Sequence, residues 1–133
     1  MSWRSLVRVR SIRLGLTRVS VTLRVSGSTD GGYEAAFLVD TGAADSMAPA
    51  SQLAKVGIVP VGNNAYELAD GTRSEYAFGL AQIEFMGEIT AGRVIFGPEG
   101  TEPILGVTAL ESVGIIVDLT TQTLRRLPAI PLK

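Results

Sequence analysis

One short segment of the sequence places a carboxylate and a hydroxyl at a tight turn. The apolar run Phe37-Leu38-Val39 leads directly into Asp40-Thr41-Gly42-Ala43. The apolar run predicts a buried strand, and Gly42 predicts a sharp turn just after it. A carboxylate held at such a strand end can act as a general acid or base. Taken alone, the same residues also fit an Asx or ST turn that merely ends a strand.

The composition narrows the chemistry that the chain could perform. The 133 residues include no histidine and no cysteine, and Lys55 and Lys133 are the two lysines. These counts exclude a Ser-His-Asp triad, a Cys-His pair and an imidazole general base. They also remove the usual ligands of zinc, haem and iron–sulfur clusters. Acid–base chemistry would therefore fall to a carboxylate, and we expect no metal and no cofactor.

Charge is distributed unevenly along the chain. Residues 1–26 carry six arginines and no acid, residues 27–124 carry all 13 acids, and the formal net charge is −1. The arginines alternate with apolar residues, which is typical of the solvent-facing side of a strand, and charged strands protect sheet edges. A basic domain that binds nucleic acid is an alternative, but no aromatic platform or recognition helix accompanies the arginines. We therefore expect no nucleic-acid partner.

The same arginines interrupt the apolar N-terminal segment. A signal peptide needs an unbroken apolar stretch, and a membrane helix needs about 20 mostly apolar residues. Neither pattern occurs in the sequence. We therefore expect no membrane association, and the lack of cysteine fits a cytoplasmic location.

Strand patterns dominate the elements that must position Asp40. The length fits a single domain spanning residues 1–133. Alternating or continuous apolar runs predict strands at residues 7–9, 12–16, 19–25, 33–39, 65–69, 72–78, 81–86, 89–96, 115–119 and 124–127. A bulge is predicted near residues 10–11, and short helices are predicted at 49–56 and 107–113. The predicted fold class is all-β with one or two short helices, arranged as a compact barrel or orthogonal sandwich.

Two further segments complete a recognisable order. Asp70-Gly71 is a strong hairpin-turn dipeptide between two of the predicted strands. Farther along, Pro103-Ile104-Leu105-Gly106 runs into the second predicted helix. An apolar run ending in Asp-Thr-Gly-Ala, then a hairpin, then Ile-Leu-Gly before a short helix resembles the retropepsin-like aspartic proteases. These are single-domain relatives of pepsin that include the retroviral proteases.

This resemblance extends over residues 18–127 and implies a closed, β-barrel-like acid protease fold. The segment Val94-Ile95-Phe96-Gly97-Pro98-Glu99-Gly100 and the C-terminal hairpin look most like the bacterial and archaeal members. In the family, the residue that matches Asp40 is the catalytic aspartate. The resemblance thus implies an aspartic endopeptidase that hydrolyses peptide bonds in an extended peptide or protein substrate.

The number of catalytic motifs implies a homodimer. An aspartic protease uses two carboxylates that share one proton, and each comes from its own Asp-Thr/Ser-Gly motif. This chain has one such motif, because neither Asp30 nor Asp70 has an intervening Thr or Ser before its glycine. The second carboxylate would therefore be Asp40 of a second copy across a twofold axis.

By the same resemblance, the neighbours of Asp40 take defined roles. Thr41 would brace the two active-site loops across the dimer axis, and Gly42 would leave room for the substrate backbone. Ala43 replaces the serine common in pepsins, which removes a hydrogen-bond donor to the carboxylate and predicts a less acidic pH optimum. The structural support of the loop would come from Ile104, Leu105 and Gly106.

The hairpin would act as a flap over the substrate, from about residue 66 to residue 76. The residues expected to contact substrate are Gly42, Asp45, Ala69, Asp70 and Gly71. Two of these assignments have plain alternatives, because the hairpin also fits an ordinary surface turn and Asp45 also fits a solvated or capping acid. The termini could interleave at the dimer interface, or the C-terminal hairpin could pair within its own subunit. A dimeric module that binds peptides but cleaves them weakly or not at all is the alternative function.

Overall fold

The computed structural model describes residues 17–132. The strands predicted at 7–9 and 12–16 and the bulge near 10–11 lie outside these residues. The elements in chain order are β1 (Arg18–Arg24), β2 (Tyr33–Asp40), β3 (Ser46–Pro49), α1 (Ala50–Lys55), β4 (Gly62–Glu67), β5 (Arg73–Phe85), β6 (Glu88–Gly97), β7 (Ile104–Gly106), α2 (Val107–Ser112), β8 (Ile115–Asp118) and β9 (Thr123–Arg126). Strands predominate and the two helices are short, which confirms the predicted all-β class.

Seven strands form one sheet that closes on itself. Their order is β1-β2-β7-β3-β6-β5-β4, and β1 also pairs with β5. This additional pairing turns the sheet into a barrel, with β4 left as an outer strand against β5. Strands β8 and β9 form a separate two-stranded hairpin. The two strands of the C-terminal hairpin thus pair with each other, and interleaving of the termini at a dimer interface stays a prediction.

Alternate residues of the barrel strands point inward and form the core. Val21 and Leu23 of β1 are fully buried, as are Phe37 and Val39 of β2. Burial of each such side chain stabilises the fold by about 1.5–3 kcal/mol, before entropy costs are counted. The buried Val39 immediately precedes Asp40, so the core anchors the strand end that carries the carboxylate.

Strand β5 corrects one sequence-based prediction. The sequence predicted separate strands at 72–78 and 81–86, whereas β5 runs without interruption over 13 residues. Gly79 interrupts the apolar pattern for a packing reason. A Cβ atom at this position would lie 2.7 Å from the carbonyl oxygen of Val59, so the glycine admits the chain that leads into β4.

A capping contact at its start and a glycine at its end explain the bounds of helix α1. The N-cap residue, Pro49, makes no side-chain capping bond, and Glu99 from the loop after β6 supplies one instead. Its Oε2 accepts a hydrogen bond from the backbone N–H of Ser51 at 3.0 Å, and hydrogen bonds from Ser51 lower the pKa of the Glu99 carboxyl. Gly57, at φ +86°, then ends the helix.

Among residues 17–132, no helix is long and apolar enough to cross a membrane.

Candidate active site

Asp40 is the last residue of β2 and lies beside the strand that leads into α2. Strands β2 and β7 pair in parallel, and Asp40 is in register with Gly106. Next to this strand end, the Val39 N–H donates to the carbonyl oxygen of Thr17 at 3.1 Å. The carboxylate therefore projects from the end of a strand that has neighbours on both sides.

The loop after Asp40 orients its carboxylate. The backbone N–H of Gly42 donates to Asp40 Oδ1 at 2.9 Å. The N–H of Ala43 donates to the backbone oxygen of Asp40 at 3.1 Å, which closes a tight turn. This is the Asx turn that the sequence suggested as the plain alternative. The turn does not exclude a catalytic role, because the same hydrogen bond fixes the carboxylate that a reaction would use.

Gly106 supports the loop from behind. A Cβ atom there would lie 2.6 Å from the carbonyl oxygen of Ala44 and 2.7 Å from that of Asp45, so the two backbones meet where no side chain fits. The N–H of Val107 donates to the carbonyl oxygen of Ala43 at 2.8 Å. Leu105, fully buried, anchors the same segment in the core. These contacts make the β7–α2 junction a rigid base for the loop.

Ser46 is a supporting residue that the sequence analysis missed. Its side chain is 2% exposed, and its Oγ accepts a hydrogen bond from the Gly106 N–H at 3.0 Å. A buried hydroxyl needs such a partner. A serine leading into Met47-Ala48-Pro49 gave no local signal of this role, since the partner lies 60 positions away.

A cleft of about 490 Å³ opens above Asp40, under the β4–β5 hairpin. Of the residues singled out in the sequence, those that line it are Asp40, Gly42, Ala43, Asp45, Ala69 and Ile104. Four other lining residues belong to the hairpin predicted as a flap: Tyr66, Glu67, Leu68 and Tyr76. The remaining lining residues were not among the predicted site residues: Ala44, Met47, Ala65 and Ile95. The cleft therefore has an apolar floor, an aromatic and aliphatic roof, and carboxylates as its charged groups.

Asp70 and Gly71 form the hairpin tip and do not line the cleft. Oδ1 of Asp70 accepts hydrogen bonds from the backbone N–H and the hydroxyl of Thr72, at 2.9 and 2.7 Å. Gly71 has φ +89°, which a glycine adopts without strain. Both residues thus build the turn, and contact between them and a substrate stays a prediction.

Asp45 contacts the hairpin directly. The Tyr66 hydroxyl, on β4, donates to Asp45 Oδ2 at 2.8 Å. Burial raises the pKa of the Tyr66 phenol, the nearby Asp45 carboxylate raises it further, and the Arg93 guanidinium opposes both effects. Asp45 is therefore neither a simple solvated acid nor a helix cap.

Thr41 does not line the cleft and lines a separate groove of about 370 Å³ instead. Its lining is mostly aliphatic and comes from α2 and the C-terminal hairpin: Thr41, Val107, Leu110, Glu111, Ile115, Ile116, Val117 and Leu119. Adjacent loop residues therefore serve two different surfaces, with Asp40 in the cleft and Thr41 in the groove.

Within residues 17–132, no group of three or more acidic, histidine or cysteine side chains is placed to hold a metal ion.

Comparisons with known proteins bear on the fold. No protein-family model and no curated protein matches the chain. Among solved structures, it is similar to the crystal structure of the retroviral protease-like domain of Ddi1 from Leishmania major, with a TM-score of 0.50 and 17% sequence identity. The match covers 86% of this chain and 91% of that one. The architecture and this similarity together show that the chain has a retropepsin-like fold.

Proposed function

We propose that this protein is an aspartic endopeptidase that works as a homodimer, with Asp40 of each chain forming the catalytic pair. The observation that carries the proposal is the position of Asp40, at a strand end, oriented by the Gly42 N–H and under a β-hairpin that roofs a cleft of about 490 Å³. An extended peptide fits such a cleft, since it can pair with a hairpin through backbone hydrogen bonds.

The proposed reaction uses two carboxylates that share one proton. The ionised Asp40 takes a proton from a water molecule, whose oxygen attacks the peptide carbonyl carbon. The protonated Asp40 of the second copy gives its proton to the carbonyl oxygen. Collapse of the tetrahedral intermediate breaks the C–N bond, and the leaving nitrogen receives a proton from the pair. The pair titrates as one unit, because two carboxylates about 3 Å apart do not both ionise.

The groove beside Thr41 supports dimerisation. Its aliphatic lining is a surface that a second copy of the chain would cover. One of the lining residues, Thr41, directly follows Asp40 in the sequence. A twofold axis near Thr41 would bring two Asp40 side chains together.

Likeness to bacterial and archaeal members and a cytoplasmic location stay predictions.

The decisive experiment is the substitution Asp40→Asn, assayed with a library of unstructured peptides. The matched control is Asp30→Asn, because Asp30 also precedes a glycine but is exposed in the loop between β1 and β2. We expect Asp40→Asn to abolish cleavage and Asp30→Asn to retain it. Cleavage that survives Asp40→Asn would contradict the proposal. A wild-type protein that binds peptides without cleaving them would instead support the peptide-binding module.

A further inference from the structure

Tyr66 connects the hairpin to the active-site loop. It lies in β4, five residues before the Gly71 turn, and its hydroxyl donates to Asp45 Oδ2 at 2.8 Å. Asp45 follows Asp40 by five positions on the loop that carries the proposed catalytic carboxylate. Both partners line the cleft. The hydrogen bond therefore spans from the roof of the cleft to its wall.

The position of β4 makes this contact important. Strand β4 is the terminal strand of the seven-stranded order, and its ladder partner is β5, from Gly62↔Phe78 to Glu67↔Arg73. A hairpin arm attached along one edge can tilt as a unit about its base. A contact from β4 to the active-site loop limits that tilt.

Neighbouring side chains hold the Tyr66 ring in the orientation that reaches Asp45. Tyr76, diagonally across the hairpin, packs against it with ring centroids 6.3 Å apart and planes tilted by 56°. Arg93 of β6 lies over the Phe78 ring, 4.4 Å from its centroid, and its charge also acts on the Tyr66 hydroxyl. The hydroxyl thus donates to a carboxylate from a ring that is already packed.

We propose that Tyr66 is a positioning residue, whose hydrogen bond to Asp45 sets the height of the hairpin above Asp40 and so the grip on an extended substrate. This inference rests on the proposed function. Because Tyr66 acts through Asp45 and the hairpin rather than on the reacting atoms, it affects substrate binding more than the chemical step.

The kinetic test compares Tyr66→Phe with Tyr33→Phe. Each removes one tyrosine hydroxyl and keeps the ring, but Tyr33 lies on β2, packs against Phe37 and does not line the cleft. A hydrogen bond to a half-exposed charged group predicts a KM increase of about three- to tenfold for Tyr66→Phe, with kcat within about twofold. Tyr33→Phe should resemble the wild type. Wild-type kinetics for Tyr66→Phe, or a fall in kcat at constant KM, would overturn the proposal.

Substitutions at Asp45 provide a rescue test. Asp45→Asn keeps a carbonyl oxygen that can accept from the Tyr66 hydroxyl, whereas Asp45→Leu keeps the approximate size and removes the acceptor. We expect a larger KM increase for Asp45→Leu than for Asp45→Asn. Combining Asp45→Leu with Tyr66→Phe should add little to Asp45→Leu alone. Additive effects would show that the two residues act separately.

A spectroscopic readout tests the contact without any catalysis. An alkaline titration followed by phenolate absorbance compares the wild type with Tyr66→Phe, which identifies the Tyr66 signal. In Asp45→Leu, that signal should shift to lower pH, because the carboxylate that raises the pKa of Tyr66 is gone. An unchanged titration would refute the contact even in an active protease. The expected shift in a protein that cleaves nothing would retain the contact while the proposed function fails.

Discussion

The cleft above Asp40 and the groove beside Thr41 are lined by adjacent residues of one loop but differ in chemistry. The cleft contains carboxylates, aromatic side chains and a hairpin roof, whereas the groove is mostly aliphatic and lies against α2 and β8. Consecutive residues at the end of a strand point in opposite directions, so one loop can supply both surfaces. If the proposed function holds, the reaction and the assembly of the dimer use neighbouring residues with separable roles.

The largest loss of stability and activity is expected at Gly106, which supports the loop that lines both the cleft and the groove. Gly106→Ala places a Cβ atom against the backbone of Ala44 and Asp45, which has no flexible end to move aside. We expect a loss of about 2–3 kcal/mol in the free energy of unfolding and a severe loss of activity. Denaturant unfolding measures the first quantity. Gly92→Ala is the control, because neither glycine has a positive φ and a Cβ atom at Gly92 would meet only the end of the Ile83 side chain, at 3.6 Å. Equal losses in the two variants would show that the added methyl group itself, rather than the close approach to the Ala44 and Asp45 backbone, is the cause.

Ile116→Asp separates the groove from the cleft. A carboxylate in the aliphatic groove should weaken the dimer by about 10- to 100-fold, because a buried charge without a partner is costly. Activity should fall at low protein concentration and recover at high concentration. Sedimentation over the same range of concentrations measures the dissociation of the dimer. Ile89→Asp is the control, because Ile89 is 65% exposed on β6 and does not line the groove. A concentration-independent loss of activity would contradict the assignment of the groove to dimerisation.

Ala43→Ser changes the cleft alone. A hydroxyl beside Asp40 can donate to the carboxylate and favour its ionised form, so the acidic limb of the pH–rate profile should move to lower pH by about one unit or less. Ala44→Ser, one position farther along the loop, is the control. The wild type should not peak below about pH 3. An unchanged profile for Ala43→Ser would show that this hydroxyl does not reach the pair.

The smallest effect on stability is expected outside both the cleft and the groove, where β1 pairs with β5 and closes the barrel. Glu84 of β5 accepts a hydrogen bond from Gln82 and pairs with Arg24 of β1 at 2.7 Å, and these contacts lower the pKa of its carboxyl. A lowered pKa means that the stabilisation is present above the usual titration range of a glutamate and is lost as the pH falls through the folded-state pKa.

Solvent screening keeps this contribution below about 1 kcal/mol. Glu84→Gln should therefore reduce stability slightly at neutral pH and flatten its decline in acid, with activity unchanged. Glu34→Gln, an exposed position on β2, should do neither in the same thermal unfolding series. An equal pH dependence in Glu84→Gln and the wild type would contradict this account.

Local patterns predicted most of the fold, and long-range contacts account for what they missed. The alternation in β1 and the glycine stops after α1 and α2 are encoded in neighbouring residues, so those elements were predicted to within about two residues. Strand β3 was missed because its four residues include a proline and it exists as a strand through pairing with β6 and β7. A glycine also concealed the continuity of β5.

In the candidate site, too, local patterns predicted some features, whereas others depend on long-range contacts. Asp40 and its turn could be identified from seven consecutive residues. The hydrogen bond between Tyr66 and Asp45 could not, because it joins residues 21 positions apart whose approach depends on the hairpin. The groove beside Thr41 likewise depends on how α2 and β8 pack, which no local pattern specifies.

The central claim is that each chain supplies half of the active site. The most direct test mixes equal amounts of wild-type and Asp40→Asn chains and unfolds and refolds them together. The activity of the mixture is compared with that of a sample that contains the same total amount of protein, all of it wild type. Random pairing leaves about one quarter of the dimers with two intact carboxylates, so the account predicts about one quarter of the activity. An activity of about one half would contradict it, because each wild-type chain would then work alone.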